Sequence, residues 1–146
     1  MLLQRTKVQR KHILFELAEA DVCQHIQRLS RFFRFLTAIG CRIAINQAGL
    51  TVVSASYIKQ CDIELIKLHP SLIRNIERRT ENQLFVQSLL ESCNGTSTRI
   101  FAAGVRTKAE WLTLIETGVS GGQGDFFAAS ELLSTNVKKY SQRYRV

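Results

Sequence analysis

The sequence predicts an α/β fold in which parallel strands alternate with crossover helices. The chain has 146 residues, 45% of them hydrophobic, which is enough for one domain with a substantial core. Short apolar runs alternate with longer segments of helical periodicity, and this alternation places consecutive strands parallel in one sheet. Polar residues also recur at the C-terminal ends of the predicted strands.

Four short runs rich in apolar and β-branched residues are the predicted strands. They are His12–Leu17, Arg42–Ile45, Ile63–Leu68 and Arg99–Ala103. Such runs are typical of strands that are buried on both faces of a parallel sheet.

Helical signals fill the segments between these strands. Apolar side chains from Val22 to Leu36 recur at helical spacing, and Gly40 ends that helix. A loop and a helix occupy Gln47–Gln60, and Pro70 opens a short helical turn.

Two capping-box patterns predict where the later helices begin. Thr80 with Gln83 marks one start, and Thr107 with Glu110 marks the other. The second of these helices ends at Gly118, a residue type that is common just past a helix C-terminus.

The strand ends favour a barrel over a doubly wound sheet, although only weakly. Glu16, Asn46, Lys67 and Arg106 lie at or just beyond strand ends, on the face that carries active sites in barrels. No glycine-rich phosphate loop such as GxGxxG follows any predicted strand. The spacing alone leaves the two folds about equally favoured.

Cysteine spacing, hydropathy and charge narrow the class of protein. Four cysteines and three histidines form no metal-site spacing, so we expect reduced, mostly buried thiols and no cofactor. Apolar runs of about 18 residues and a signal-peptide pattern are both lacking, which predicts a cytoplasmic chain. The formal charge of +8 favours polyanionic partners such as RNA or nucleotides.

Five segments carry a resemblance to a known family. In chain order they are FELAE (15–19), GCRIAINQAG (40–49), YIKQCDIELIKLHPSL (57–72), AAGVRT (102–107) and GVSGGQGDFF (118–127). Their order and separations resemble the EAL family of cyclic di-GMP phosphodiesterases over residues from about 12 to 130. The resemblance implies the C-terminal portion of an EAL-type TIM-like (βα) barrel, because the family's first segments have no counterpart in this sequence.

The resemblance also implies that the family's metal chemistry is lost. Cyclic di-GMP hydrolysis in the family uses two divalent ions, and such ions require anionic oxygen ligands. Glu16 matches one metal-binding glutamate, but Asn46 and Gln47 replace a pair of aspartates and Ala103 replaces a second glutamate. We therefore expect a degenerate domain that is not an enzyme.

Four further positions complete the predicted vestigial site. Arg106 stands where the family has a glutamate, and His69 stands where it has an aspartate. Lys67 and Gln123 match the family's lysine and glutamine. Without ions, Glu16 is expected to pair with Lys67. Three alternatives stay open: a non-hydrolysing cyclic di-GMP sensor, a residual phosphodiesterase and a non-functional gene fragment.

The C-terminal segment, residues 124–146, resembles a degenerate subgroup of the family. Its members are anchored at the inner membrane by segments that this sequence lacks, and they promote RNase E-dependent decay of regulatory small RNAs. The implied partners are the RNase E and small-RNA pathway and the glucose-specific IIA protein of the phosphotransferase system. The predicted organisation is a partial degenerate EAL domain at 1–135 and a basic tail at 136–146.

Two basic clusters are the candidate contacts for RNA or for a protein partner. The first is Arg28, Arg31 and Arg34, which recur every third residue of one predicted helix. The second lies in the tail and interleaves basic residues with tyrosines: Lys138, Lys139, Tyr140, Arg143, Tyr144 and Arg145. Basic and aromatic residues together are typical of surfaces that bind single strands. The alternative is a solvated helix face and an unstructured tail.

Overall fold

Five parallel strands form one sheet in the computed structural model, which describes residues 13–51 and 53–127. They are β1 (Leu14–Ala18), β2 (Arg42–Ala48), β3 (Leu65–Leu68), β4 (Arg99–Ala103) and β5 (Gly121–Gln123). Each strand pairs with the next one in chain order, and every pairing is parallel. This arrangement confirms the predicted α/β fold.

The connections between the strands are mainly helical. The helices are α1 (Glu19–Gln24), α2 (Ile26–Ala38), α3 (Tyr57–Gln60), α4 (Pro70–Ile73), α5 (Thr80–Ser92) and α6 (Lys108–Thr117), with a 3₁₀ turn at Ile76–Arg78. The helix predicted after the first strand is interrupted at His25, whose backbone angles (φ −120°, ψ 27°) are not helical. This break separates α1 from α2 just before the first basic cluster.

One of the two capping predictions is confirmed and the other is wrong. The side chain of Thr107 accepts a hydrogen bond from the backbone of Glu110 at 3.1 Å, and the carboxylate of Glu110 accepts one from the backbone of Thr107 at 3.3 Å. At α5 the N-cap is Arg79, and Thr80 already lies inside the helix. Gln83 instead donates to the carbonyl oxygen of Ile76 at 2.8 Å and so binds the preceding turn.

The fifth strand was not predicted because its residues are small. Gly121 lies against the ring of Phe101, where an added Cβ would come within 2.9 Å of the ring, and Gly122 meets Trp111 at the same distance. Glycine is therefore required by close packing at positions where a strand usually has branched residues.

The main core lies between the sheet and the helices that cover it. Ile43, Ile45 and Ile66 are buried in it, together with Phe33 from α2. Alternating residues face the other side of the sheet, where Ala44, Leu65 and Phe101 form a smaller apolar cluster.

The four cysteines are unpaired, as predicted, and three of them are buried: Cys41, Cys61 and Cys93. Burial raises the pKa of the Cys61 and Cys93 thiols, which makes them weak nucleophiles. In the described part of the chain, every helix is too short or too polar to cross a membrane.

Candidate functional site

The centre of the predicted site is an ion pair between β1 and β3, the strands on either side of β2. The ammonium Nζ of Lys67, on β3, lies 2.8 Å from Oε1 of Glu16, on β1. The Lys67 side chain is 15% exposed and that of Glu16 is 34% exposed, so the pair is partly shielded from water. The contact confirms the predicted pairing of these two side chains.

The two amides in the C-terminal part of β2 have separate surroundings. Asn46 lies opposite Ala18 at the end of β1, and its Oδ1 is buried without a hydrogen-bond partner among the described residues. Gln47 is exposed and takes a left-handed backbone conformation (φ 54°) at an irregularity in the pairing of β2 with β3. A non-glycine residue at this angle is strained by about 1–2 kcal/mol.

His69 has a local structural role at the start of α4. Its Nδ1 accepts a hydrogen bond from the backbone of Ser71 at 3.1 Å and lies 2.9 Å from the Ser71 hydroxyl oxygen. The imidazole therefore caps the short helix that Pro70 opens. This use of the ring competes with metal ligation.

Ala103 and Gln123 are paired in register at the ends of β4 and β5. Together with Lys67 and Phe101 they surround a gap that has no room for a water molecule. The structure therefore brings three of the eight predicted site residues around one closed space.

Arg106 is directed towards a buried carboxylate. Its guanidinium Nη2 lies 3.4 Å from Oε1 of Glu110, whose side chain is fully buried. The positive charge at this position is therefore matched by a protein carboxylate.

The residues present do not fit the two divalent ions that the EAL reaction requires. Glu16 is the one acid among the eight predicted site residues, and its carboxylate contacts Lys67. Within 13–51 and 53–127, no three His, Cys, Asp or Glu side chains converge as a metal site would require. Hard dications need several anionic oxygens, which this set does not supply.

Sequence reasoning missed Glu19, a buried carboxylate next to the site. One oxygen accepts a hydrogen bond from the backbone of Gly49 at 3.0 Å, and the other accepts one from the Tyr57 hydroxyl at 2.5 Å. Burial, followed by this hydrogen bond, raises the pKa of Tyr57 far above its ordinary value. Glu19 thus anchors the loop that follows β2. The signal was the second acid of the FELAE segment.

Glu110 is a second missed carboxylate, which the sequence showed only as part of a capping box. It accepts hydrogen bonds from the backbone N–H groups of Asn75 (3.1 Å), Arg106 (2.7 Å) and Thr107 (3.3 Å). Burial alone would raise the pKa of Glu110, but these bonds and the Arg106 guanidinium together lower it. The carboxylate joins the loop after β4 to the loop after α4.

The first predicted basic cluster is exposed on α2, where Arg28, Arg31 and Arg34 all face solvent. Two rings that sequence reasoning did not include, Phe32 and Phe35, are exposed beside them. The tail residues Lys138, Lys139, Arg143 and Arg145 lie outside the described residues.

The family follows from a match to the EAL domain model over residues 1–130. The chain belongs to the EAL domain family. A standalone EAL protein from Vibrio cholerae O395 in its cyclic di-GMP-bound form superposes with a TM-score of 0.71 and 25% identity, over 85% of this chain and 52% of that chain. The similarity confirms the predicted fold, a portion of an EAL-type TIM-like barrel.

Two curated relatives show where this EAL chain lies within the family. It is 65% identical over 145 residues to the RNase E specificity factor CsrD of Escherichia coli K12, across 99% of the chain and 22% of CsrD. The blue light- and temperature-regulated antirepressor BluF of the same organism is 26% identical over 84% of the chain and 30% of BluF. The EAL chain thus spans less than a third of either relative. The predicted resemblance to an RNase E-linked member of the family is confirmed.

Proposed function

We propose that this chain is a non-catalytic regulatory module of a CsrD-type protein that promotes RNase E-dependent decay of regulatory small RNAs. The observation that carries the proposal is the shortage of anionic ligands, since Glu16 is the one acid among the eight predicted site residues and no three His, Cys, Asp or Glu side chains converge within 13–51 and 53–127. The 65% identity to CsrD, an RNase E specificity factor, supports the link to RNA decay. Residues 1–135 would form the module and residues 136–146 its basic tail.

Loss of phosphodiesterase activity follows from charge. Two dications at one site repel each other, and carboxylates normally offset that repulsion. Asn46, Gln47 and Ala103 supply no negative charge, which leaves Glu16 as the one anionic side chain of the predicted set. Lys67, Gln123 and the other members of the set are, in this proposal, remnants of an ancestral site.

A chimera tests the role in RNA decay. This chain would replace the matching segment of E. coli CsrD, and the half-life of a CsrD-dependent small RNA would be measured after transcription is stopped. We expect the half-life seen with unaltered CsrD. A half-life as long as in a strain without CsrD would contradict the proposal.

A hydrolysis assay tests the lack of catalysis. The chain and the chimera would each be incubated with cyclic di-GMP and Mg²⁺ or Mn²⁺, with an active EAL phosphodiesterase as the positive control. We expect no linear product. Product formation that chelation abolishes would show a residual enzyme.

The alternative is a sensor that binds cyclic di-GMP without cutting it. Its support is the match of Lys67 and Gln123 to family residues, together with the net charge of +8. The loss of the family's acids at Asn46, Gln47 and Ala103 opposes it. Calorimetry at high micromolar cyclic di-GMP should give no binding heat, and a saturable isotherm would favour the sensor.

The proposed protein partner is the glucose-specific IIA protein of the phosphotransferase system. The net positive charge of the chain is compatible with an acidic partner. A cytoplasmic location fits both this partner and the four unpaired cysteines. Titration of the chain with purified IIA protein should give saturable binding, and an absence of heat from a folded chain would remove this partner from the proposal.

A further inference from the structure

One face of α2 presents two arginines and two aromatic rings to solvent. Arg28, Arg31, Phe32 and Phe35 follow the i, i+3, i+4, i+7 spacing that aligns side chains along one side of a helix. Both arginines are exposed, and the phenylalanines are 44% and 41% exposed. These four residues are called the α2 stripe below.

The orientation of the stripe is fixed by the opposite side of the helix. Phe33 and Leu36 are buried in the main core, so α2 cannot rotate without exposing them. The ring of Phe15, which is half-buried on β1, meets the ring of Phe32 edge-on with 6.3 Å between centroids. The burial of Phe33 and Leu36 therefore sets which side of α2 faces solvent, and the contact with Phe15 holds the ring of Phe32 on that side.

The arginines of the stripe have no acidic partner within 13–51 and 53–127. The sequence of α2, IQRLSRFFRFLTA, contains no acid. Among the described residues, no carboxylate lies within ion-pair distance of Arg28, Arg31 or Arg34. These guanidinium groups are available to an anionic partner.

A shallow groove of about 390 Å³ continues the stripe at the break between α1 and α2. Its described lining includes Gln24, His25, Gln27 and Arg28. Amide and imidazole groups donate and accept hydrogen bonds, as the edges of unpaired bases do.

We propose that the α2 stripe binds single-stranded RNA, with Arg28 and Arg31 on phosphates and Phe32 and Phe35 against bases. The identity of this RNA, a regulatory small RNA, rests on the proposed function. Guanidinium groups and aromatic rings side by side on one helix face match the phosphates and bases of a single strand. A membrane surface fits less well, because the continuous apolar side of α2 is buried in the core and cannot enter lipid.

The test measures the fluorescence anisotropy of a labelled single-stranded RNA of about 12 nucleotides, a length within known site sizes. The full chain is titrated at several salt concentrations. We expect affinity to fall with salt, and we expect R28Q/R31Q to lower the salt slope by about 1.4, since each phosphate contact contributes about 0.7 for single strands. The matched control R74Q/R78Q removes two exposed arginines elsewhere and should leave affinity within about twofold.

A second pair of variants tests the contribution of the two phenylalanine rings to RNA binding. F32L/F35L keeps the apolar bulk but removes the rings, and we expect about tenfold weaker binding from lost stacking. Phe85 on α5 is 37% exposed, and F85L should leave the affinity unchanged. Circular dichroism melting of every variant establishes that the chain is folded before binding is compared.

Four results would overturn the proposal. The first is that the folded chain binds no RNA, and the second is that the stripe and control variants lose equal RNA affinity. The third is that RNA affinity falls only when the tail residues are changed to Ser, namely Lys138, Lys139, Arg143 and Arg145. The fourth is that the stripe variants weaken binding to anionic vesicles or to the IIA protein and leave RNA binding unchanged. Failure of the proposed function can be distinguished from failure of this RNA-binding proposal. Stripe-dependent RNA binding combined with a chimera that does not restore small-RNA decay would leave the RNA surface in place and remove the decay role.

Discussion

The carboxylate of Glu16 and those of Glu19 and Glu110 differ sharply in their surroundings. Glu19 is 3% exposed and Glu110 is fully buried, and each accepts hydrogen bonds from the backbone of a loop distant in sequence. Glu16, in the vestigial site, is about one-third exposed and contacts the side chain of Lys67. The comparison indicates that the fold depends on the loop-anchoring carboxylates much more than on the carboxylate at the former site.

The largest expected effect comes from the removal of Glu110. Glu110→Ala would leave three backbone N–H groups without their acceptor, and we expect a loss of about 3 kcal/mol in the free energy of unfolding. Urea denaturation measures this loss. The exposed Glu116, on the same helix, is the matched control, and Glu116→Ala should cost less than about 0.5 kcal/mol. Equal effects would remove the distinction between buried and surface acids.

Removal of Glu19 should have the second largest effect on the free energy of unfolding. Glu19→Ala would remove the acceptor for the Gly49 N–H and the Tyr57 hydroxyl, at an expected cost of about 2 kcal/mol. Tyr57→Phe should cost about 1 kcal/mol. A double-mutant cycle on the two positions, measured by thermal unfolding, should show strong coupling. Additive losses would mean that the hydrogen bond contributes little to stability.

A pH titration sharpens the comparison further. The pKa of Glu110 is lowered in the folded chain, so its stabilising effect is fully present above the unfolded glutamate pKa of about 4.3 and is lost as pH falls through the lower folded pKa. Wild type and Glu110→Gln should therefore differ most near neutral pH. Their free energies of unfolding should converge in acid, and a constant difference across pH would contradict this account.

The smallest effect is expected in the vestigial site. Glu16→Gln should change the free energy of unfolding by less than about 1 kcal/mol, because the ion pair is partly exposed and screened. Lys67→Met should behave similarly, since methionine retains most of the apolar stem. Denaturation at low and high salt provides the measurement. A loss as large as that of Glu110→Ala would show that the former site has become structural.

The sequence predicted the α/β class and four strands, because apolar runs report burial directly. It did not predict β5, whose glycines are selected by the rings of Phe101 and Trp111. The break at His25 also escaped, since neither glycine nor proline marks it. Strand pairing is a tertiary property, and so is close approach between residues far apart in sequence.

The site shows the same limit. The eight positions came from the family resemblance, and the Glu16–Lys67 pairing followed from charge. Glu19 and Glu110 were missed because their partners, Gly49 and Asn75, are 30 and 35 residues away in the sequence. The sequence does not show whether a glutamate is buried or exposed, because burial is determined by the tertiary fold.

The order of the strands has a consequence for how the chain folds. Because every strand pairs with the one that precedes it in sequence, each strand–helix unit can dock as soon as it is made. Loop-closure entropy is then lost in small steps, because each strand pairs with one that is already synthesised and near it in sequence. A chain emerging from the ribosome could therefore extend this sheet one unit at a time during synthesis.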